Sequence, residues 1–596
     1  MEKKFSARPG ELVVALERTI YEEEVTEPTL MEVEACVKQL KKGKAVGPDT
    51  IPVEQFKASK TATTELWHVI QSIWREEVMP EDFVLAEMLM HYKKKSKEDR
   101  SNYRALGLLN HSYKIFAMVL LIRMLPYIEP KLSDMQAGFR KSRGCRDNIL
   151  ILVMTINHIL DTAEDEAHSR GVITYIDFTA AFDSISHSYL LTTLKQYGMP
   201  LKYCRLVKAI YDDAAACVRL QEPGGARFYS RKIPYRRGVV QGDIPSPLCF
   251  LAALDKILKD HGGLNTGIKV TENLLLSELE FADDAALPNE DTVSSSNRLT
   301  HLDENAKKEA GMVISITKTK TQHIRKCPKI SDTTEEDIRR LPPEKRLKFI
   351  CDKCNYTFAN NHGLRVHQGR WCKKRKTKKK QNRRGTVADN IVGRMKVEEF
   401  QQTLDKVRIG AEELENVYTF QYLGAEIAGD GDPLVPVKHR CDIAWIRFGE
   451  YRKILTSAKL PVKMRLRLYT CLVISTMIYS CCTWLMTKDI KKKVNGVNSK
   501  MLALITRRTI HEEARNPTID TVKIIMKRRW EYLGHILRMS EDRAVRRYLL
   551  ELSPNNAPFI KGTLLDDTDF DSVQEMVSCA VDREQWKATW WVRNGH

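Results

Sequence analysis

The chain of 596 residues has room for roughly two to four domains. Lys and Arg total 96 against 77 Asp and Glu, and the formal charge of +19 suits a polyanionic partner, most simply nucleic acid. Fourteen cysteines at this length exclude a disulfide-built scaffold, and the opening MEKKFSARPGELVV lacks the apolar stretch of a secretion signal. An intracellular protein, nuclear or nucleocytoplasmic and not secreted, is expected.

In chain order, residues 28–60 read as helix, turn and helix, with Thr29 and Glu32 spaced as a capping box. Residues 101–130 read as mixed helix with a basic edge. VITYI, 172–176, is a β-branched and aromatic run suited to a buried strand. SYLLTTLKQYG follows as an amphipathic helix stopped by Gly198, and LCFLAALDKIL, 248–258, is an apolar helix behind Pro245 and Pro247. Residues 274–287 read as a hairpin centred on Asp283 and Asp284. After about residue 325 the composition turns polar. Residues 326–400 hold a Cys/His cluster and then KKRKTKKKQNRR, where nine of the 12 residues 373–384 are Lys or Arg, as in an inserted module with a basic tether. VRIGAEELENVYTFQYLGAEI reads as a pair of strands, and the remainder to about 550 as helical and basic. Residues 468–487 carry no charge over 20 positions, but their Thr, Ser, Cys and Tyr content reads as a buried helix rather than a membrane span.

Asp177 ends VITYI, and Asp283 and Asp284 follow about a hundred residues later at the tip of the expected hairpin. Unpaired carboxylates are costly to bury. Three of them at strand ends suit two-metal catalysis, in which hard oxygen ligands and substrate phosphates share two Mg2+ ions about 3.5–4 Å apart. The metal charge offsets the repulsion between the carboxylates. A bare Asp-Asp pair is more often a turn or a solvated face. What distinguishes this pair is ordered context: IDFTAAFDSI, then RRGVVQGDIPSPLCF, then FADDAAL.

These blocks resemble the reverse transcriptase domain of non-LTR (LINE-like) retrotransposons. KKGKAVGPDTIPVEQFK is similar to the block ahead of the fingers, NYRALGLLNHSYKIF to the fingers block, and QAGFRKSRG to the one after it. GMVISITKTK resembles the block that follows the catalytic hairpin, and FQYLG, 420–424, the primer-grip hairpin. RLYTCLVISTMIYSCCTW and RRWEYLGHILRM resemble thumb and post-thumb blocks. Ala282 stands before the paired aspartates where a viral RNA polymerase more typically has Gly. The resemblance implies an α+β right-hand polymerase of fingers, palm and thumb, with a helical C-terminal region. The implied organisation is an N-terminal extension and pre-fingers block over 1–60, fingers and palm over 61–325, and an inserted finger and tether over 326–400. Primer grip and thumb follow over 401–550, and a tail over 551–596. No nuclease-like segment is recognised before residue 28 or after residue 550, so target cleavage is not expected of this chain.

The resemblance also implies roles. Asp177 and Asp283 would be the main ligands of two Mg2+ ions, with Mn2+ as a substitute, Asp284 a weaker partner and the Phe178 carbonyl a further ligand. Phe182 matches the aromatic residue under the nucleotide sugar, which favours dNTPs over NTPs; as a lone residue it would read as core packing. Asp183 reads as a structural acceptor. Gly238, Gln241 and Gly242 would form the loop beneath the nascent pair. Arg104 and one of Lys93, Lys94 and Lys95 would grip the triphosphate, and Lys318 would lie near it as an acid or as a solvated lysine. Ala105 and Gly107 replace the usual Pro and Ser, implying a looser fingers loop, and Ser315 replaces the usual Asn. The implied reaction is addition of dNTPs to a DNA 3′-hydroxyl on an RNA template.

FICDKCNYTFANNHGLRVHQGRWC places Cys351, Cys354, His367 and Cys372 in the pattern C-x2-C-x12-H-x4-C, with Phe349, Phe358 and Leu364 where a ββα finger keeps its core. It resembles a two-Cys, two-His zinc finger whose last His is Cys, a thiolate and imidazole set suited to one structural Zn2+. His362 is a competing ligand at poor spacing. Arg365, Lys373, Lys374, Arg375 and Lys376 are candidate contacts to DNA or RNA, and KKRKTKKK resembles a nuclear localisation signal. The alternative to an RNA-directed DNA polymerase is a catalytically inactive, retrotransposon-derived nucleic-acid-binding protein that uses the finger and tether.

Overall fold

The computed structural model describes residues 25–93, 96–99, 102–161, 171–221, 227–261, 266–325, 404–552 and 572–593, with positions 568 and 570. The chain enters through helices α1 (Leu30–Gln39), α2 (Val53–Ala58) and α3 (Lys60–Glu76). The Thr29–Glu32 capping box expected from the sequence closes the start of α1. Strands β1 (Leu85–Tyr92) and β2 (Tyr103–Leu108) form an antiparallel pair, followed by α4 (His111–Ile128). Residues 103–108 are therefore strand, not part of a mixed helix.

Next come α5 (Cys145–Asp161), β3 (Val172–Ile176), α6 (His187–Gln196) and α7 (Leu201–Asp212), then β4 (Ala215–Gln221), β5 (Arg227–Tyr229) and α8 (Ser246–His261). The first sheet runs β2-β1-β4-β5, with β1 and β4 parallel. The second is built from β3, β6 (Leu279–Phe281), β7 (Asp284–Asn289), β8 (Lys320–His323) and β9 (Glu415–Asn416), with α9 (Thr292–Asn305) between β7 and β8. Its order is β9-β8-β3-β7-β6, so β3 is central.

Every position of VITYI is buried because both faces of β3 are covered, and the hydroxyl of Thr174 is bonded to that of Ser295 at 3.0 Å. Val172 and Ile176 join a core with α4, α6 and α8, while Ile173 and Tyr175 face a second core with α5 and the later helices. The neighbouring strand alternates likewise, Ala285 and Leu287 on one side and Ala286 on the other. The expected hairpin over 274–287 is shorter than anticipated. Leu275–Leu276 pairs instead with Ile268–Lys269, and between this pair and β6 the Ser277 carbonyl accepts from the Arg298 guanidinium at 2.9 Å rather than from a strand.

Residues 407–428 hold two tight turns rather than one pair of strands. The second hairpin, β10 (Thr419–Tyr422) and β11 (Ala425–Ala428), turns through Leu423 and Gly424, both at positive φ. It docks on the second sheet: Phe420 stacks on Tyr175 at 3.9 Å, and the Tyr422 hydroxyl donates to the Leu279 carbonyl at 3.1 Å. Helices α10 (Leu434–Leu455), α11 (Val462–Tyr469), α12 (Lys488–Thr506), α13 (Thr521–Leu537) and α14 (Ala544–Glu551) follow.

The uncharged stretch 468–487 is buried but not one helix. A π turn spans 470–474, helix ends at Met477, and Ser480 takes φ 58°. The hydroxyls of Thr470, Ser475 and Thr476 donate to carbonyls four residues back, which bends and weakens the helix. Among the described residues no helix is long and apolar enough to cross a membrane.

Positions 572–593, expected as tail, form α15 (Val573–Val581) and α16 (Arg583–Arg593) packed on α13. Trp530 and Trp586 stack at 4.2 Å, and each indole N–H donates to the other residue's carbonyl. The zinc-ligand candidates Cys351, Cys354, His367 and Cys372, and the basic candidates Arg365, Lys373, Lys374, Arg375 and Lys376, lie outside the described residues.

Candidate active site

Register brings the three aspartates together. Ala285 of β7 pairs with Ile176 of β3, so Asp284 arrives level with Asp177. Ala282 and Asp283 form the two-residue turn between β6 and β7, closed by the pairing of Phe281 with Asp284. Only Ala282 has positive φ there, 56°. That conformation favours Gly at the first turn position, and an alanine in it costs about 1–2 kcal/mol. The surroundings hold it: the Gln136 side-chain oxygen accepts from Ala282 N at 3.0 Å and from Gly138 N at 2.8 Å.

Asp177 is fixed through its backbone, its N–H donating to the Thr319 hydroxyl at 3.3 Å and its carbonyl accepting from Ser315 N at 2.8 Å. The block GMVISITKTK thus buttresses Asp177. Its Lys318 ammonium lies 2.9 Å from Asp177 Oδ1, so this lysine pairs directly with a carboxylate.

The electrostatics follow from this crowding. Burial pushes the Asp283 carboxyl up, the Asp177 carboxylate adds to the effect, and Arg104 and Lys318 oppose it. Burial also raises Asp284, and the charges of Asp283 and Asp177 help push it up to about 6. The three carboxylates therefore feel one another, with Arg104 of β2 and Lys318 as the cations beside them. Among the described residues no three His, Cys, Asp or Glu side chains converge tightly enough to hold a metal unaided. An all-oxygen carboxylate set completed by phosphate and water suits Mg2+ better than a closed protein cage does. The Phe178 residue is buried and bridges to Ile314.

Phe182 sits on a short helical turn, stacked on Phe250 of α8 at 4.1 Å and edge-on to Phe139 at 6.3 Å. Its carbonyl accepts from Val239 N at 2.7 Å, tying the turn to the loop that carries Gln241 and Gly242. Asp183 is buried beside that loop, in keeping with a structural role. The fingers segment is not loose. Gly107 N donates to the Gln241 carbonyl at 2.8 Å, and a Cβ on Gly242 (φ 109°) would come within 2.5 Å of the Gly107 carbonyl oxygen. With no side chain on either glycine, β2 lies directly against the loop and fixes the strand that bears exposed Arg104. Lys93 directly follows β1 and its N–H donates to Asn102 O at 2.8 Å; Lys94 and Lys95 lie outside the described residues.

Sequence reasoning missed the layer behind the turn. Gln136 is fully buried and also donates to Glu280 Oε2 at 2.8 Å. Glu280 is fully buried too, and burial followed by the charges of Asp255 and Glu278 raises its carboxyl well above the usual range. The Glu280 carbonyl accepts from Asn148 Nδ2 at 2.7 Å and Ala137 N at 2.9 Å. A second missed residue, Asp243, is buried with its carboxylate on the Ser246 hydroxyl and Ile244 N, and burial pushes it up to about 6. Neither carried a sequence signal, since Asp243 lies three positions before the first residue of α8 and so outside its N-cap position.

Residues 92–427 match the family described as reverse transcriptase (RNA-dependent DNA polymerase). The chain is 31% identical over 153 residues to a Pol polyprotein from the type-2 retrotransposable element R2DM of Drosophila melanogaster, covering 26% of this chain and 13% of that protein. It is 26% identical over 230 residues to a Pol polyprotein from the type-1 retrotransposable element R2 of Popillia japonica, covering 37% and 30%. It is 24% identical over 269 residues to a 149 kDa protein of transposon TX1 from Xenopus laevis, covering 44% and 20%. The matched segments span less than a third of each of these relatives.

Asp284 binds its proton more tightly in the folded chain than in the unfolded one. The resulting stability is complete below about pH 4, where the unfolded carboxyl is protonated as well, and it is lost as pH rises through about 6. In chelator, Asp284→Asn is expected to melt higher than the parent near neutral pH and to show no such gain below about pH 4. A melting difference independent of pH would contradict the crowding of these carboxylates.

Proposed function

Because the chain belongs to the reverse transcriptase (RNA-dependent DNA polymerase) family, we propose that it extends a DNA 3′-hydroxyl with dNTPs on an RNA template, as the polymerase of a non-LTR retrotransposon. The observation that carries this reading is the register that sets Asp177 level with the Ala282–Asp283 turn, with Arg104 and Lys318 beside it.

Asp177, Asp283 and Asp284 would hold two Mg2+ ions, or Mn2+, with the Phe178 carbonyl as a further ligand. Bound there, such ions favour an ionised attacking hydroxyl and neutralise charge on the departing pyrophosphate. The remaining work falls to the chain. Arg104 offers a forked cation to triphosphate oxygens from a strand that the Gly107–Gly242 contact keeps in place. Lys318 is held on Asp177 and would offer a second cation to the same phosphates. The ring of Phe182, fixed by its stack on Phe250, gives a flat wall against the sugar. Gln241 and Gly242 present backbone to the nascent pair. RNA template and DNA primer are the proposed partners. The retrotransposon setting is supported by the relatives, which are proteins of retrotransposable elements or transposons.

Primer extension on poly(rA)/oligo(dT) with Mg2+ tests the reading. The parent is expected to extend and Asp283→Ala to fall by at least about a thousandfold, the scale of losing a group that stabilises the transition state. Equal extension by both would remove the catalytic assignment, and no extension by either would favour an inactive nucleic-acid-binding protein.

We also propose one structural Zn2+ on Cys351, Cys354, His367 and Cys372, supported by their finger-like spacing. Arg365, Lys373, Lys374, Arg375 and Lys376 would then face nucleic acid. The purified full chain is expected to carry one Zn2+ by elemental analysis, lost on Cys351→Ser with Cys354→Ser. Zinc content unchanged in that variant would refute the site.

A further inference from the structure

Phe139 combines two features that folding alone disfavours. Its side chain is 62% exposed, and its backbone lies in the left-handed region at φ 52°. Bulky residues are rare there and mark turns or functional sites. Its neighbours fix it in that state. On one side, Gly138 donates to the Gln136 side chain, and a Cβ on Gly138 would stand 2.3 Å from Ala282 N. Phe139 is therefore one residue from a direct contact with the turn that bears Asp283. On the other side, the almost fully buried Arg140 side chain is anchored by Glu129 Oε1 at 2.8 Å, the Gln136 carbonyl at 3.1 Å and the Glu129 carbonyl at 3.2 Å. Both neighbours of Phe139 are thus anchored.

The ring is not merely pushed into solvent. It meets the ring of Phe182 edge-on, 6.3 Å between centroids at 81°. Phe182 in turn stacks on buried Phe250. Exposed Phe139 and half-buried Phe182 thus form one apolar pair, tied through Gly138 to the turn that bears Asp283. We propose that Phe139 is a nucleotide-binding residue, contacting the sugar and base of the incoming deoxynucleotide beside Phe182. This rests on the reading of the site as a polymerase centre. Such a contact would explain why a strained backbone holds an apolar ring in water: the nucleotide covers it.

The test uses the full chain bound to a template with a dideoxy-terminated primer, in Ca2+, so that affinity for the complementary dNTP is read without turnover. Phe139→Asn tolerates the left-handed backbone but removes the ring; its Kd for dNTP is expected to rise about tenfold, on the scale of one lost aromatic contact to a base. Phe139→Tyr keeps the ring and is expected to bind as the parent does. Affinity for primer–template and the melting temperature should be unchanged in both. The inference is overturned if Phe139→Asn binds dNTP as the parent does, if its defect is confined to primer–template affinity, or if the parent binds no dNTP. A parent complex that binds dNTP but never extends a free primer would remove the catalytic reading and still decide the role of Phe139.

Discussion

The pairing of Ala285 with Ile176 is the constraint on which the site depends. A slip of one residue would turn Ala286 into the core of Ala285 and carry the paired aspartates away from Asp177. The fold guards against that slip from both faces of β3, with separate apolar cores on either side. It guards the turn as well, through the fully buried Gln136, which binds Ala282 N, Gly138 N and Glu280 at once. The unfavourable φ of Ala282 is held by hydrogen bonds that close only in this register.

Crowding of like charges follows from the register and sets the local chemistry. Asp283 and Asp284 are both raised by burial and then by neighbouring carboxylates. Such a set gains from any cation that enters. Lys318 already pairs with Asp177, and Arg104 acts on Asp283 from the other sheet. The first sheet thus reaches the site twice, through the charge of Arg104 and through the contact of Gly107 with Gly242 in the loop before α8. Here the absence of side chains tightens the fingers segment, contrary to the expectation that replacing Pro and Ser would loosen it.

Much of this was legible in the sequence because local signals and burial agreed. VITYI is β-branched or aromatic at every position, the composition of a strand buried on both faces. The Thr29–Glu32 box and Gly198 mark helix ends where the structure has them. What failed to show were interactions between residues far apart in the chain. Gln136 and Glu280 are 144 positions apart and meet only after folding. The stretch 468–487 looked like a helix by apolar content, yet its hydroxyls compete for the backbone and break it. Phe139 read as one letter of the block QAGFRKSRG; its exposure and backbone strain exist only in three dimensions.

We propose that Asp177 and the paired aspartates form one divalent-cation site. Mn2+ bound to the primer–template–dNTP complex, counted by electron paramagnetic resonance, tests that claim without requiring turnover. The parent is expected to retain protein-bound Mn2+ that Asp177→Asn and Asp283→Asn each lose, although they are neighbours only through the register. Mn2+ binding unchanged by either substitution would contradict the account.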